Sequence, residues 1–433
     1  MSPISFAQRL ALSGTMPRLS VGMQREVNLG FLAPLSGAVE SWGRPGLNGC
    51  RLWEDWLNRA GGLLIGGRRY PLRIHAMDCG NDPERAKTGA QTLVREHNIQ
   101  LLMMLGGNSL SGGLLHELMD RRVLTTTLVP SDLSPDTPFL LSPSEVHPVY
   151  VVTAVDWLAR TRPELGTVAL CAQTDAIGLP SLATYRAAFD AAGVTRVHEV
   201  QYAPESTDIA AIAGPMLAAN PDILCWCTSY TPMVHALTEY AHAQGYRGQI
   251  LSCTLDQYDR LIARTSAAFM EGFTFQFPDF DDPALAEKTF FFNQPKAFHD
   301  SYMERFPGTW SAVSWEYAAI LDLWHGAVQK AGSTQPVSVL AAMKQMEHVR
   351  HAFGPAQWWG RDVFGIDNAL VGDWPVVQIR AGRARIAEFV SVTDWLARHS
   401  DRLKSEMEAL GQLWHQRLDA PTATATDLGA RSL

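Results

Sequence analysis

From residue 27 onward, apolar and polar positions follow two rhythms that take turns along the chain. Residues 27–35 form an apolar run that ends at Pro34, Ser36 and Gly37, the mark of a strand running into a turn. Residues 47–60 then place apolar side chains at helical spacing, and Gly61 and Gly62 close them off. The same reading predicts strands over 70–78, 99–105, 123–129 and 139–142. Between them it predicts one helix from Pro83 to about residue 96 and another from about residue 110. After His147 the rhythm restarts, with helices over 149–161, 179–192, 208–219 and 232–244. Strands over 167–173, 194–202, 223–227 and 249–253 alternate with them, and Asp208 stands as an N-cap. Strand and helix in alternation predict parallel sheets with helices on both faces. Two such units in succession predict an α/β protein of two doubly wound lobes with a cleft between them.

Beyond Gly272 the order loosens. A strand is expected over 273–277, helices over 283–306, 311–331 and 337–346, and short strands near 356–359, 375–379 and 385–390. Residues 393–418 carry Trp395, Leu396, Leu403, Met407, Leu410, Leu413 and Trp414 at the spacing of one amphipathic helix. The small polar stretch after Ala420 predicts disorder.

Composition narrows the function classes. The 433 residues suffice for about two or three domains. A net charge of −8 without basic runs gives no footprint for nucleic acid. The longest apolar runs are strand-sized, too short for a membrane span. Residues 1–26, an N-terminal extension, contain Arg9, Arg18 and Arg25 but no unbroken apolar core of the kind a secretory leader has. An upstream start, a replaced leader and a cytoplasmic protein all fit that. The six cysteines are dispersed, and the Cys225–Cys227 pair alone makes no metal site. They read as buried free thiols, compatible with either redox compartment. No cofactor is expected.

In open parallel sheets the ligand sits beyond the carboxyl ends of the strands, where loops and helix starts converge. That rule selects Ser36, Trp42, Ser109, Ser111 and Ser131 from the first unit. From the second it selects Asp175, Ile177, Ser229, Tyr230, Thr254 and Asp256. Hydroxyls beside free backbone N–H groups, as in the 108–111 turn, suit a carboxylate. Trp42 and Tyr230 offer flat apolar faces for an organic ligand, and Asp256 a charge for an ammonium group. The competing reading makes the serines helix caps and Trp42 a core plug. GxSxG, phosphate-loop and HExxH patterns are absent from the sequence. His348 and His351 have no third ligand nearby and read as surface histidines, and Asp281–Asp282 before Pro283 as a helix cap. The chemistry is that of binding, not catalysis.

Several of these stretches together resemble the branched-chain amino-acid binding proteins, the type I periplasmic solute-binding family of ABC importers. They are Val27 to Gly37, Trp42–Gly43, Asn58 to Gly62, Asp78 with Asn81 to Pro83, the turn at Ser109, Thr127 to Ser131, and Thr228 to Pro232. The resemblance runs from about residue 27 to 390. It implies two lobes joined by a three-strand hinge. Lobe one would hold 27–147 plus 273–350 and lobe two 148–272 plus 351–391, with a C-terminal helix and tail over 392–433. It further implies hinge closure on a small-molecule ligand, docking to ABC permease subunits, and a periplasmic location. Trp42 would cover the ligand, Ser109, Ser111 and Ser131 would hold a carboxylate, and Tyr230 would close the site. Two positions depart from the family pattern. Ile177 stands where an aromatic residue is expected, and Thr254, with Asp256 two residues on, stands where a glutamate would hold an α-ammonium group. An amino-acid-like ligand, another carboxylate, and an aromatic or apolar compound therefore all stay open. Two other classes compete: a cytoplasmic ligand-sensing regulator of the amide-sensor type, and an enzyme on a doubly wound scaffold.

Overall fold

The computed structural model describes residues 26–37, 39–106, 112–288, 294–346 and 349–418. The first half opens with β1 (Val27–Ala33), α1 (Arg44–Arg59), the hairpin β2 (Leu63–Ile65) and β3 (Arg68–Tyr70), and β4 (Leu72–Asp78). It continues with α2 (Pro83–His97), β5 (Leu102–Met104), α3 (Gly112–Asp120), β6 (Thr125–Thr127) and β7 (Leu140–Leu141). Its five-stranded sheet runs β4-β1-β5-β6-β7, every pair parallel. Central β1 is apolar along almost its whole length because helices cover both its faces, and Leu29 and Phe31 are fully buried. The Asp82 carboxylate starts α2 by accepting from Arg85 N at 2.8 Å, with Pro83 in the first turn.

The second half follows the same plan. It holds α4 (Val152–Thr161), β8 (Thr167–Gln173), α5 (Gly178–Ala192), β9 (Thr195–Tyr202), α6 (Ile209–Ala218) and β10 (Ile223–Cys225). Then come α7 (Thr231–Ala243), β11 (Gln249–Leu251), α8 (Tyr258–Arg264), α9 (Ala267–Met270) and β12 (Thr274–Phe275). Strands β9-β8-β10-β11-β12 are parallel. Asp208 caps α6 as expected, accepting from Ala211 N at 3.0 Å.

The chain then returns to the first half through α10 (Pro295–Arg305), α11 (Val313–Ala331) and α12 (Pro336–Lys344), and α11 lies along α1. The two helices approach closely because α1 offers glycines. A Cβ on Gly49 would fall 1.8 Å from the Ser314 carbonyl oxygen. Trp53 Nε1 donates to Asp322 Oδ1 at 2.7 Å and fixes the register. Gly49→Ala should therefore force the helices apart and cost about 1–3 kcal/mol or more, readable as a lower denaturant midpoint. A midpoint equal to that of the parent would show that the helices can slide apart freely.

Strands β13 (Arg350–His351), β14 (Gly354–Trp359), β15 (Ala369–Arg380) and β16 (Arg383–Ser391) rejoin the second sheet as an antiparallel extension, with α13 (Arg361–Phe364) between β14 and β15. The second sheet is thus mixed rather than wholly parallel. The chain passes between the halves after β7, after β12 and after α12. At the first passage Ser142 and Ala369 form one parallel bridge, framed by Ser142 N to Asn368 O and Leu370 N to Ser142 O, both 2.9 Å. Among the described residues this bridge alone links the two sheets, a narrow pivot of the kind that hinge closure uses.

Other expectations are corrected. The stretch 283–306 is not one helix: Pro283–Leu285 is a single turn and α10 starts at Pro295, where a missing N–H suits a first turn and not an interior. Asp282 does cap that short turn, accepting from Ala284 N at 2.8 Å. The stretch 393–418 divides into α14 (Val392–Ala409) and α15 (Trp414–Leu418), because Gly411 takes φ +69° and turns the chain. His351 is buried rather than on the surface, and His348 lies outside the described residues. All six cysteines are buried and free. Among the described residues no helix is long and apolar enough to cross a membrane.

Candidate functional site

The carboxyl ends of the two sheets face each other across a seam, and aromatic side chains meet there first. Trp42, closing a short turn after β1, sets its ring centroid 5.2 Å from that of Tyr230, with the planes at 62°. Tyr230 stands at the N-cap of α7. Its N–H donates to Gln173 Oε1 at 3.1 Å and its hydroxyl to Asp175 Oδ2 at 3.3 Å. Asp175 also accepts from the N–H groups of Ile177 and Gly178, at 3.0 and 2.8 Å, so its carboxylate is occupied in starting α5.

Asp256 is a second tie across the seam. Its carboxylate accepts from Thr231 Oγ1 at 3.2 Å on its own side, and from Ala312 N at 3.3 Å and Trp42 on the other. Burial raises its pKa, and those three donors pull it back. Ser131 makes a third tie, its Oγ donating to Ala176 O at 3.2 Å.

Beneath these ties lies an inner cavity of about 40 Å³. Trp42, Ile177, Thr254 and Asp256 line it, as the sequence anticipated, while Tyr230 and Ser131 bridge the seam without lining it. Ser109 and Ser111 lie outside the described residues. So small a space has room for about two waters, so an organic ligand fits only as the halves part. The seam widens outward into a hollow of about 210 Å³, which shares Asp256, Phe277 and Ala312 with the inner cavity. An open groove of about 700 Å³ lies beyond, between Glu40 and Arg44 on one side and His235, Arg260 and Arg264 on the other.

The inner wall also holds Glu145, His147, Tyr150, Phe277 and Glu316, which sequence reasoning missed. Glu145 lies in the first passage between the halves, where Ser142 Oγ donates to its carbonyl at 2.6 Å. Glu316 belongs to the first turn of α11. The two carboxyls hydrogen-bond each other deep in the protein. Burial pushes Glu145 up to about 7, and burial followed by the charge of Glu145 pushes Glu316 up as well. The pair therefore holds a shared proton near neutral pH. His147 is equally buried, which holds its imidazole down at about 3 and neutral. Thr228 donates to Ser181 Oγ at 2.9 Å, which leaves its oxygen to accept from His147 Nε2 at 2.8 Å. Nε2 therefore carries the proton, and Nδ1 is a bare acceptor. A signal for Glu316 existed in the sequence: it is an acid set between Trp315 and Tyr317 in the apolar first half of its helix.

Comparison with known proteins adds a family. A family model described as periplasmic binding protein matches residues 26–384. No curated protein sequence matches the chain. Among solved structures, the chain is similar to a leucine binding protein from Thermotoga maritima, with TM-score 0.66, 15% identity, and coverage of 85% of this chain and 99% of that one. It is similar to an ABC transporter solute-binding protein from R. palustris in complex with benzoate, with TM-score 0.67, 13% identity, and coverage of 84% and 96%. It is also similar to a fatty acid ABC transporter substrate-binding protein from Thermomonospora curvata, with TM-score 0.67, 16% identity, and coverage of 85% and 92%. At these identities the likeness is one of fold.

Proposed function

The chain belongs to the periplasmic binding protein family, a family of binding proteins rather than enzymes, and on that premise we propose that it is the ligand-capturing receptor of an ABC importer, working in the periplasm. The observation that carries this reading is the contact of Trp42 with Tyr230 at 5.2 Å, one residue from each half, above a cavity at the carboxyl ends of both sheets. Two halves whose sheets share one backbone bridge and whose strand-tip loops meet through side-chain ties can part and close again around a solute. We assign the moving bodies as 27–147 with 273–350, and 148–272 with 351–391. Strand β12 is the exception: it hydrogen-bonds on both sides into the second sheet and moves with the second body. Neighbours of the same fold include a leucine binding protein, a benzoate complex and a fatty acid substrate-binding protein, which supports a small organic ligand and leaves its class to the cavity wall.

The test starts from a solute found by native mass spectrometry or a thermal-shift panel. A ligand that binds the closed form should raise the melting temperature with its concentration. Tyr230→Ala removes one half of the aromatic closure and should weaken that ligand about tenfold, a loss of roughly 1.4 kcal/mol. The ligand-free melting temperature should hardly move, because Tyr230 is only half buried. Unchanged affinity would take Tyr230 out of the closure and the reading with it.

A further inference from the structure

The inner cavity is walled by acceptors. Glu145, Glu316 and Asp256 contribute carboxyls, and His147 contributes a bare Nδ1. Asp256 has its three donors, whereas the Glu145–Glu316 pair has the Tyr150 hydroxyl on Glu145 and otherwise only its own mutual bond, and among the described residues no separate donor reaches Glu145 Oε2 or Glu316 Oε1. None reaches His147 Nδ1 either. A buried acceptor short of donors is costly, and here a bare imidazole nitrogen and a carboxyl pair that shares one proton line the same space. The rest of the wall sets the aromatic rings of Trp42, Tyr150 and Phe277, the last two with centroids 5.5 Å apart at 83°, among aliphatic side chains and the hydroxyls of Thr228 and Thr254. Among the described residues, no Lys or Arg lines this cavity to balance the acids.

We propose that the cleft selects an organic cation, an ammonium- or amidinium-bearing molecule, and that the Glu145–Glu316 carboxyl pair receives its charged nitrogen while Trp42, Tyr150 and Phe277 surround it. This rests on the receptor reading above and names the ligand class for the same site. A cation's N–H groups supply the donors that these oxygens lack, and its charge replaces the proton the pair shares. Aromatic faces hold a desolvated cation through their quadrupoles. A carboxylate ligand would meet three acids and a lone pair, and would enter only with the acids fully protonated.

The two charge signs predict opposite pH dependence. Glu316, Asp256, His147, Tyr150 and Cys253 surround Glu145, and Tyr317 lies against Glu316. Of these, the carboxyl pair is the element that changes charge near neutrality, with Glu145 at about 7. Binding a cation releases the shared proton, so cation affinity should rise up to about tenfold per pH unit as the medium passes from 6 to 7, and level off above that.

Benzamidine, benzamide and benzoate form a nearly isosteric cation, neutral and anion set, and choline with 3,3-dimethylbutanol a second pair. Titration calorimetry of the full chain at pH 6, 7 and 8 should show benzamidine or choline binding at least about tenfold tighter than its neutral or anionic partner. The preference should weaken at pH 6 and fall by about tenfold or more in Glu145→Gln/Glu316→Gln, whose melting curve confirms folding. Tighter binding of benzoate, strengthening on acidification and lost in Tyr230→Ala, would overturn the charge assignment and leave the receptor reading standing. Binding by neither cation would also overturn the assignment. Binding of any probe that ignores both Tyr230→Ala and the double substitution would overturn the receptor reading too.

Discussion

Glu145→Gln is expected to raise the unfolding free energy at pH 8 by about 3 kcal/mol and to leave it unchanged at pH 4. The carboxyl titrates near 4.5 when exposed and near 7 in the fold, where burial opposes its charge. Below 4.5 both states are protonated, and the group contributes no pH dependence. Between 4.5 and 7 the unfolded chain gives up a proton that the folded chain keeps, so stability falls as pH rises. Above 7 the full penalty applies. Glutamine cannot ionise, and its amide can still accept a hydrogen bond from a protonated Glu316. Other buried groups shape the total curve. Asp279, pushed up to about 6 by burial, acts in the same direction as Glu145. His147 and His351, both held near 3 by burial, favour the fold as pH rises toward 6.5. The difference between variant and parent separates Glu145 from these. Urea unfolding at pH 4, 6 and 8 measures it, and a difference that stays flat with pH would remove the buried carboxyl pair as an ionising unit.

Trp42→Ala should weaken ligand binding by about 100-fold, roughly 2.7 kcal/mol. One substitution removes three things at once: the edge contact with Tyr230, a donor to the buried Asp256, and a wall of the cavity. Asp256 then keeps only Thr231 and Ala312 N, and water follows the missing indole into the site. Trp42→Phe keeps the ring and loses the N–H, so its affinity should fall between the two. Calorimetry on the same solute checks this, and an alanine variant within about threefold of the parent would return Trp42 to a packing role.

Much of the fold was legible because local signals agreed with one another. Apolar strands such as β8 are bounded as their sequence suggests, and Asp82, Pro83 and Asp208 mark helix starts through bonds their side chains do make. What escaped was short or depended on distant partners. The β2–β3 hairpin has three residues a side around Gly66 and Gly67, too few to show a period. The helical pattern over 393–418 continued across Gly411, although the backbone there turns left-handed. At the site, the strand-tip rule found Trp42, Ile177, Thr254 and Asp256, because each lies in the segment that joins a strand to the next helix. It could not find Glu145 and Glu316. They are brought together only when the chain returns to the first half: Glu316 sits in the first turn of a helix, and Glu145, though it follows β7, lies in the passage that leaves the first half.

The sealed thiols bear on how this molecule is made and handled. No covalent crosslink contributes to its stability, so its folding should not depend on an oxidant, a disulfide isomerase or the glutathione balance around it. Sulfhydryl chemistry becomes a reporter of rupture instead. An alkylating reagent marks Cys50, Cys79, Cys171, Cys225, Cys227 and Cys253 only in chains whose interior has come open.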